Sequence, residues 1–222
     1  NKKLSILALL LLLIGGVGSY FTLSQSYQEE IMSEKKVSSD MVEEIQISTD
    51  NASVEVLPTS DTETKVQLVT KGVDVSKLDF TAEVEGKKLM IRLKDKSTFY
   101  IGFNIQSSHL YVYVPQKLYH SIVIDNDNGK VKMSELNVKN LNVQTDNGRI
   151  ELNKIVSENV DVRSANGKLN LNEVEGNIKG SSNNGKILLA TKDLDRNIQL
   201  ESNNGKISIK TEKEPTNTTF KV

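Results

Sequence analysis

One tetrad, Asn-Gly-basic-apolar, occurs five times in the C-terminal half of this chain: NGKV from Asn128, NGRI from Asn147, NGKL from Asn166, and NGKI from Asn184 and from Asn204. The glycines, Gly129, Gly148, Gly167, Gly185 and Gly205, stand 19, 19, 18 and 20 residues apart. An internal repeat of this length restricts the fold to architectures in which each copy is one small unit stacked against the next.

Aligning the copies on glycine produces apolar columns. Seven residues before it stand Ile122, Leu141, Val160, Ile178 and Ile198, and five before stand Ile124, Val143, Val162, Gly180 and Leu200. Two after it come Val131, Ile150, Leu169, Ile187 and Ile207; four after come Met133, Leu152, Leu171, Leu189 and Ile209. Polar residues fill the positions between, so both flanks of each turn read as half-buried strands of period two. Gly180 is the one break in the columns. A degenerate copy, IQISTDNASVEV, places Ile45, Ile47, Val54 and Val56 in the same columns, with Ala52 in place of glycine. Phe220 and Val222 match the columns seven and five before a further glycine.

Two all-β architectures satisfy this pattern. Asn-Gly is a strong hairpin signal through the type I′ turn, and an antiparallel meander would set Asp127 opposite Lys130 and Asp146 opposite Arg149. In a β-solenoid, each period of about 19 residues is one coil of two short strands and two turns, stacked about 4.8 Å from the next. The turn residues Asn128-Gly129, Asn147-Gly148, Asn166-Gly167, Asn184-Gly185 and Asn204-Gly205 would then form a ladder, with side-chain amides bonding along it. Stacking also accounts for the Ser/Thr column of Thr145, Ser164, Ser182 and Ser202, so the solenoid is the expected fold.

The pattern V-x-[ST]-x-N-G-[KR]-[ILV]-x-[IL], the block EGKKLMIRLKDK…HLYVYVPQ and the start STDNASVEV resemble the bacterial putative-adhesin family, a domain of unknown function. Its membrane-anchored relatives belong to the Lia cell-envelope-stress operon. The resemblance covers about residues 40–222 and implies a solenoid-like fold at the cell envelope; it carries no catalytic residue across.

The N-terminus is different in kind. Leu4–Leu23 is an uncharged, mostly apolar run of 20 residues preceded by Lys2 and Lys3. As a helix it would be about 30 Å long, enough to span a bilayer, with the lysines holding the cytoplasmic side. Cleavage as a signal peptide after the small residues Gly16–Gly18 is the alternative, giving a secreted domain. The expected organisation is a transmembrane anchor at 1–23, a polar tether at 24–40 and a solenoid domain at 41–222, with regular repeats over 122–209. The expected location is the cell membrane, single-pass, with the domain outside.

Composition removes several function classes. The chain has no cysteine, so it has no disulfide framework, thiolate metal site or lipidated-cysteine anchor. A net charge of −1 argues against nucleic acid as a partner. Neither His109 nor His120 stands in a catalytic motif such as G-x-S-x-G or H-E-x-x-H. The stretch DNDNGK, Asp125–Lys130, has the glycine of a calcium loop but Ile124 where the first ligand belongs, so it reads as turn chemistry. No cofactor, metal site or catalytic residue is expected. Tyr100, Tyr111, Tyr113 and Tyr119, with Phe99 and Phe103, can pack across strands or stack on sugars.

One column suggests a partner: Lys130, Arg149, Lys168, Lys186 and Lys206, one cation per copy. Stacked, they would make a charged edge able to meet an anionic envelope polymer or lipid head groups, or simply a solvated face paired with Asp127, Asp146, Glu151 or Glu201. The expected function is a non-enzymatic binding or scaffold module of the cell envelope, in adhesion or envelope stress, with membrane, anionic polymer or another envelope protein as partners. The alternative is a carbohydrate-active enzyme on a β-helix, which needs an acidic pair in one cleft.

Overall fold

The computed structural model describes residues 30–73, 75–96 and 107–214. The expected anchor at 1–23 lies outside them, as do Phe99, Tyr100, Phe103, Phe220 and Val222. No helix among the described residues is long and apolar enough to cross a membrane.

The described chain is all-β. Strands β1 (Glu30–Ser38), β2 (Glu44–Asn51), β3 (Ser53–Thr59), β4 (Glu63–Lys71), β5 (Leu78–Glu85), β6 (Lys88–Asp95), β7 (Ser107–Pro115) and β8 (Leu118–Asn128) come first. Then follow β9 (Val131–Asn147), β10 (Ile150–Ser164), β11 (Leu169–Val174), β12 (Asn177–Ser182), β13 (Ile187–Thr191), β14 (Ile198–Ser202) and β15 (Ile207–Thr211). They form one sheet wound on itself, with two long parallel faces. One face runs β7-β3-β9-β10-β11-β13-β15. The other runs β6-β2-β8-β9-β10-β12-β14. Strands β9 and β10 bend and serve both.

Pairing between copies is parallel and in register. Val131, Ile150, Leu169, Ile187 and Ile207 are successive partners on the first face. Ile122, Leu141, Val160, Ile178 and Ile198 are partners on the second. The Asn-Gly turns therefore lead from one face to the other within a stacked coil. The antiparallel meander does not form, and Asp127–Lys130 and Asp146–Arg149 are not cross-strand pairs.

The glycines are selected by close approach. A Cβ added at Gly148 would lie 1.9 Å from the Gly129 carbonyl oxygen; at Gly167, Gly185 and Gly205 it would lie 1.6, 1.7 and 1.8 Å from the glycine carbonyl one coil earlier. None of these four is in the left-handed region, so the type I′ argument for Asn-Gly does not apply to them. The Ser column has its explanation in the same contact: Ser164, Ser182 and Ser202 hydroxyls donate to the carbonyls of Gly148, Gly167 and Gly185 at 3.1, 2.9 and 2.9 Å. Buried carbonyls need such donors.

Beside the glycines runs an asparagine ladder of one polarity. Each side-chain amide donates to the carbonyl oxygen one coil earlier, from Asn204 to Asn184, Asn166, Asn147, Asn128 and finally Asn51, at 2.8–3.0 Å. The degenerate copy thus stacks directly on the first regular one, as its columns suggest, with Ile45 beside Ile122 and Val54 beside Val131.

Three features depart from the sequence reading. The coils that contain β9, β10 and β11 have three sides rather than two. The burial period shifts after Met133 and again after Val138, placing Leu136, Ile155 and Val174 in a further core column. The extra corner holds Glu135, Lys154 and Glu173 at φ values of 56°, 52° and 50°. Second, the break at Gly180 is filled by neighbours: a Cβ there would meet Leu200 Cδ2 at 2.9 Å and Val162 Cγ2 at 3.6 Å. Third, Glu30–Ser38, within the stretch read as a tether, is β1, paired antiparallel with β4 over its whole length. Edge pairing uses backbone groups, so the segment forms a strand with little apolar patterning.

The N-terminal end of the stack is closed by antiparallel strands, β4 and β1 beyond β7 and β5 beyond β6. Lys35 joins these edges, its Nζ donating to the Phe80 carbonyl at 3.0 Å and lying 5.0 Å from the Phe80 ring centroid. Such caps shield strand edges from pairing with other chains.

Replacing Gly167 by Ala should destabilise the protein by about 3 kcal/mol or more, since the coils must separate to admit the methyl group. Gly86→Ala, at φ +62° with nothing within 4 Å of the added Cβ, should cost only about 1 kcal/mol. Urea unfolding of both variants checks the contrast, and equal losses would refute the close-approach explanation.

Candidate functional site

The five basic residues do stack. The N–H groups of Val54, Val131, Ile150, Leu169 and Ile187 donate to the carbonyls of Lys130, Arg149, Lys168, Lys186 and Lys206, each across one coil boundary, at 2.8–3.0 Å. One cation therefore occupies each step of about 4.8 Å.

The column has two electrostatic halves. In the first, Glu151 takes both cations, Lys130 Nζ at 2.6 Å and Arg149 at 3.4 Å. Burial pulls the Glu151 carboxyl up, and Lys130 and Arg149 outweigh it to leave the group below the ordinary glutamate range. Lys132 and Glu55, 2.6 Å apart, continue this paired surface. Asp127, Asp146 and Glu201, the other partners weighed, form no ion pair with the column among the described residues.

In the second half, the acids disappear on both sides. The column two before glycine runs Asp50, Asp127, Asp146 and then Ala165, Asn183, Asn203. The column three after glycine runs Glu151 and then Asn170, Leu188, Ser208. Among the described residues Lys168, Lys186 and Lys206 have no ion-pair partner. They border two amide ladders, Asn166-Asn184-Asn204 and Asn183-Asn203. Adjacent ammonium groups at this spacing repel by about 0.9 kcal/mol in water, a cost that an anion bridging them would remove. The signal was present in the sequence, but in the acidic columns that flank the basic one.

The remaining candidates take other roles. Asn128 donates to Asn51 and accepts from Asn147, so its side chain belongs to the ladder. Among the described residues no group of three or more His, Asp or Glu side chains could hold a metal ion. His109 lies beside Tyr111, with ring centroids 6.2 Å apart, and Tyr113 follows at 6.4 Å. Tyr119 is a core residue whose hydroxyl donates to the Pro115 carbonyl at 3.0 Å, and burial pushes its phenol up.

A cleft of about 450 Å³ opens where the chain bulges at residues 192–197, lined in part by Glu173, Glu175, Asp193, Arg196 and Glu212. Arg196 braces it, donating to the Val174 carbonyl at 2.8 Å and Thr191 Oγ1 at 2.6 Å. Glu173, Glu175 and Glu212 are exposed, whereas a general-acid carboxyl is raised by a desolvating pocket. The cleft gathers acids without that environment.

The model of the Toastrack DUF4097 family matches residues 42–175 and 122–222, and the chain belongs to that family. Its fold is similar to that of a putative cell adhesion protein from Clostridium sporogenes, at 14% identity and TM-score 0.56, over 83% of this chain and 100% of that one. A putative adhesin from Bacteroides fragilis also aligns, at 14% identity and TM-score 0.43, over 83% and 98% of the two chains. No curated protein matches the chain.

Because the folded Glu151 carboxyl is lowered, its ion pairs stabilise the protein above the ordinary glutamate pKa and lose that effect as pH falls through the folded value. Glu151→Gln should therefore cost about 1 kcal/mol near pH 7. The gap from the wild type should close below about pH 4. Thermal unfolding across this range measures it, and a gap that widens in acid would refute the assignment.

Proposed function

We propose that this chain is an exported, membrane-tethered, non-enzymatic binding module of the bacterial cell envelope, and that it holds an anionic envelope polymer along Lys168, Lys186 and Lys206. One observation carries the reading: at the starts of β11, β13 and β15 the basic column continues while the flanking acid positions become Ala, Asn, Leu and Ser. A merely solvated face gains nothing by losing its counter-charges over three consecutive coils. A polymer with regularly spaced anionic groups gains one charge-assisted contact per coil, and the neighbouring amides supply hydrogen bonds to its neutral parts. The apolar run Leu4–Leu23 supports export and tethering, and the adhesion names of structurally similar proteins support binding rather than turnover. A place in envelope-stress signalling rests on the family resemblance alone.

The test uses the full chain in detergent micelles, with a polyglycerol-phosphate polymer immobilised as probe. Changing Lys168, Lys186 and Lys206 together to Gln should lower retention about tenfold or more at low salt. Changing Lys130 and Arg149 to Gln, which Glu151 already engages, should lower it about threefold at most. Wild-type retention should fall steeply as salt shortens the Debye length from about 10 Å at 0.1 M to about 3 Å at 1 M. Retention of the triple variant equal to the wild type would refute the proposal.

A further inference from the structure

The same long face carries a second surface at its other end. Along β7, Leu110, Val112 and Val114 are fully buried, so His109, Tyr111 and Tyr113 point outward from the sheet. Outward positions on β9, β10 and β11 are Lys, Glu, Asn and Ser, as a solvated face requires. On β7 they are three rings in a row, half-buried, inclined by only 16° and 20° to one another. Core packing does not account for them, because the core lies on the opposite side of the strand.

The groups around the middle ring are polar and paired, and apolar side chains adjoin the outer two. Across the strands, Tyr111 lies between Gln67 and Glu55, Tyr113 between Lys65 and Leu57, and His109 between Val69 and Ser53. Gln67 Nε2 donates to Glu34 at 2.6 Å, and Glu55 holds Lys132 at 2.6 Å. Lys65 Nζ sits 4.5 Å from the Tyr113 ring centroid. Glu34 and Glu55 stand against Lys65 and Lys132, and Lys36, beside Lys65 on β1, adds one positive charge. This lane therefore offers aromatic surface and hydrogen-bonding groups with nearly balanced charge, unlike the lysine stripe about four strand spacings, or roughly 19 Å, away.

We propose that His109, Tyr111 and Tyr113 form a binding platform for a neutral saccharide chain. A pyranose has an apolar face of C–H groups and a rim of hydroxyls. The faces would lie against the rings, and the hydroxyls would reach Gln67, Glu55, Lys65 and Lys132. A membrane surface is the poorer fit, since Gln67 and Glu55 with their charged partners break the apolar area at its centre, on both sides of Tyr111.

This inference stands independently of the polyanion reading, and the test separates the two. The full chain in detergent micelles is titrated with chitohexaose and, separately, cellohexaose, both neutral β-linked hexasaccharides. The wild type should bind at least one at millimolar concentration or below. Tyr111→Ala with Tyr113→Ala should weaken binding about tenfold, and Tyr111→Phe with Tyr113→Phe should hold it within about threefold. Glu55→Gln with Gln67→Ala keeps both rings and should weaken binding about threefold, which serves if the Ala pair unfolds. The Lys168, Lys186 and Lys206 triple variant should bind the hexasaccharide as the wild type does. Absence of wild-type binding to both sugars, or equal binding by the Ala and Gln/Ala pairs, would overturn the platform. Ring-dependent binding to neutral liposomes without sugar binding would overturn it in favour of a lipid surface.

Discussion

The whole stack depends on the approach of one glycine corner to the next. With the Gly167 backbone packed on the Gly148 carbonyl so closely that a Cβ would overlap it, the coils cannot slip or separate without breaking that contact. Register follows, because a one-residue shift would also move every apolar column from core to solvent. Once register is set, residues at equivalent positions lie in rows whether or not the rows are useful. The asparagine ladder and the lysine stripe are both consequences of this geometry. The first satisfies itself by hydrogen bonding, whereas the second accumulates charge.

That distinction explains where the sequence can vary. Core columns accept only exchanges that conserve filled volume, as Leu200 does when it occupies the space above Gly180. Solvent-facing columns are freer, and it is there that the chain changes character. Strands β3, β9 and β10 and the turns that lead into β9 and β10 carry Glu55, Lys132, Lys130, Arg149 and Glu151 in ion pairs. Beyond β10 the same face keeps its lysines and drops its acids. The backbone does not require this change, and it is the change on which the polyanion proposal rests.

The in-register columns were legible in the sequence because parallel stacking repeats each environment once per coil. Ile150 and Leu152 therefore have neighbours of their own kind on both sides. The third side was not legible: its column of Leu136, Ile155 and Val174 stands three residues, not two, after the preceding core column, and beside it Val138 pairs with Tyr119 on one side and Ser157 on the other, with no common residue type. The reason for glycine at the stacked turns was not legible either. Asn-Gly has two physical uses, a left-handed turn and a close approach, and a single chain segment looks alike in both. Only the distance to the neighbouring coil separates them. β1 escaped notice because an edge strand joined through backbone hydrogen bonds needs no apolar period. Of the candidate site, the cations were visible, and Glu151 stood among four candidate partners with nothing in the chain to single it out. Glu151 lies two residues from Arg149 in the chain but one coil from Lys130.

The order of strands also shapes what the molecule can present. The degenerate copy, β2 and β3, is first in the chain but second in the stack, because the later pair β6 and β7 is placed outside it. Asn51 thus reaches Asn128 across 77 residues, whereas the regular copies meet neighbours only 18–20 residues away. Short-range stacking can form with little loop-closure entropy, and the long-range closure is best made onto coils already ordered. The elaborate end, with its antiparallel caps, Lys35 bridge and aromatic strand, is therefore the end that needs the rest as a template. The regular end needs only its own repeat. A face that joins the two ends can carry different chemistry at each, rings with nearly balanced charge near the cap and uncompensated lysines on the plain coils, without either surface disturbing the contact that holds the coils together.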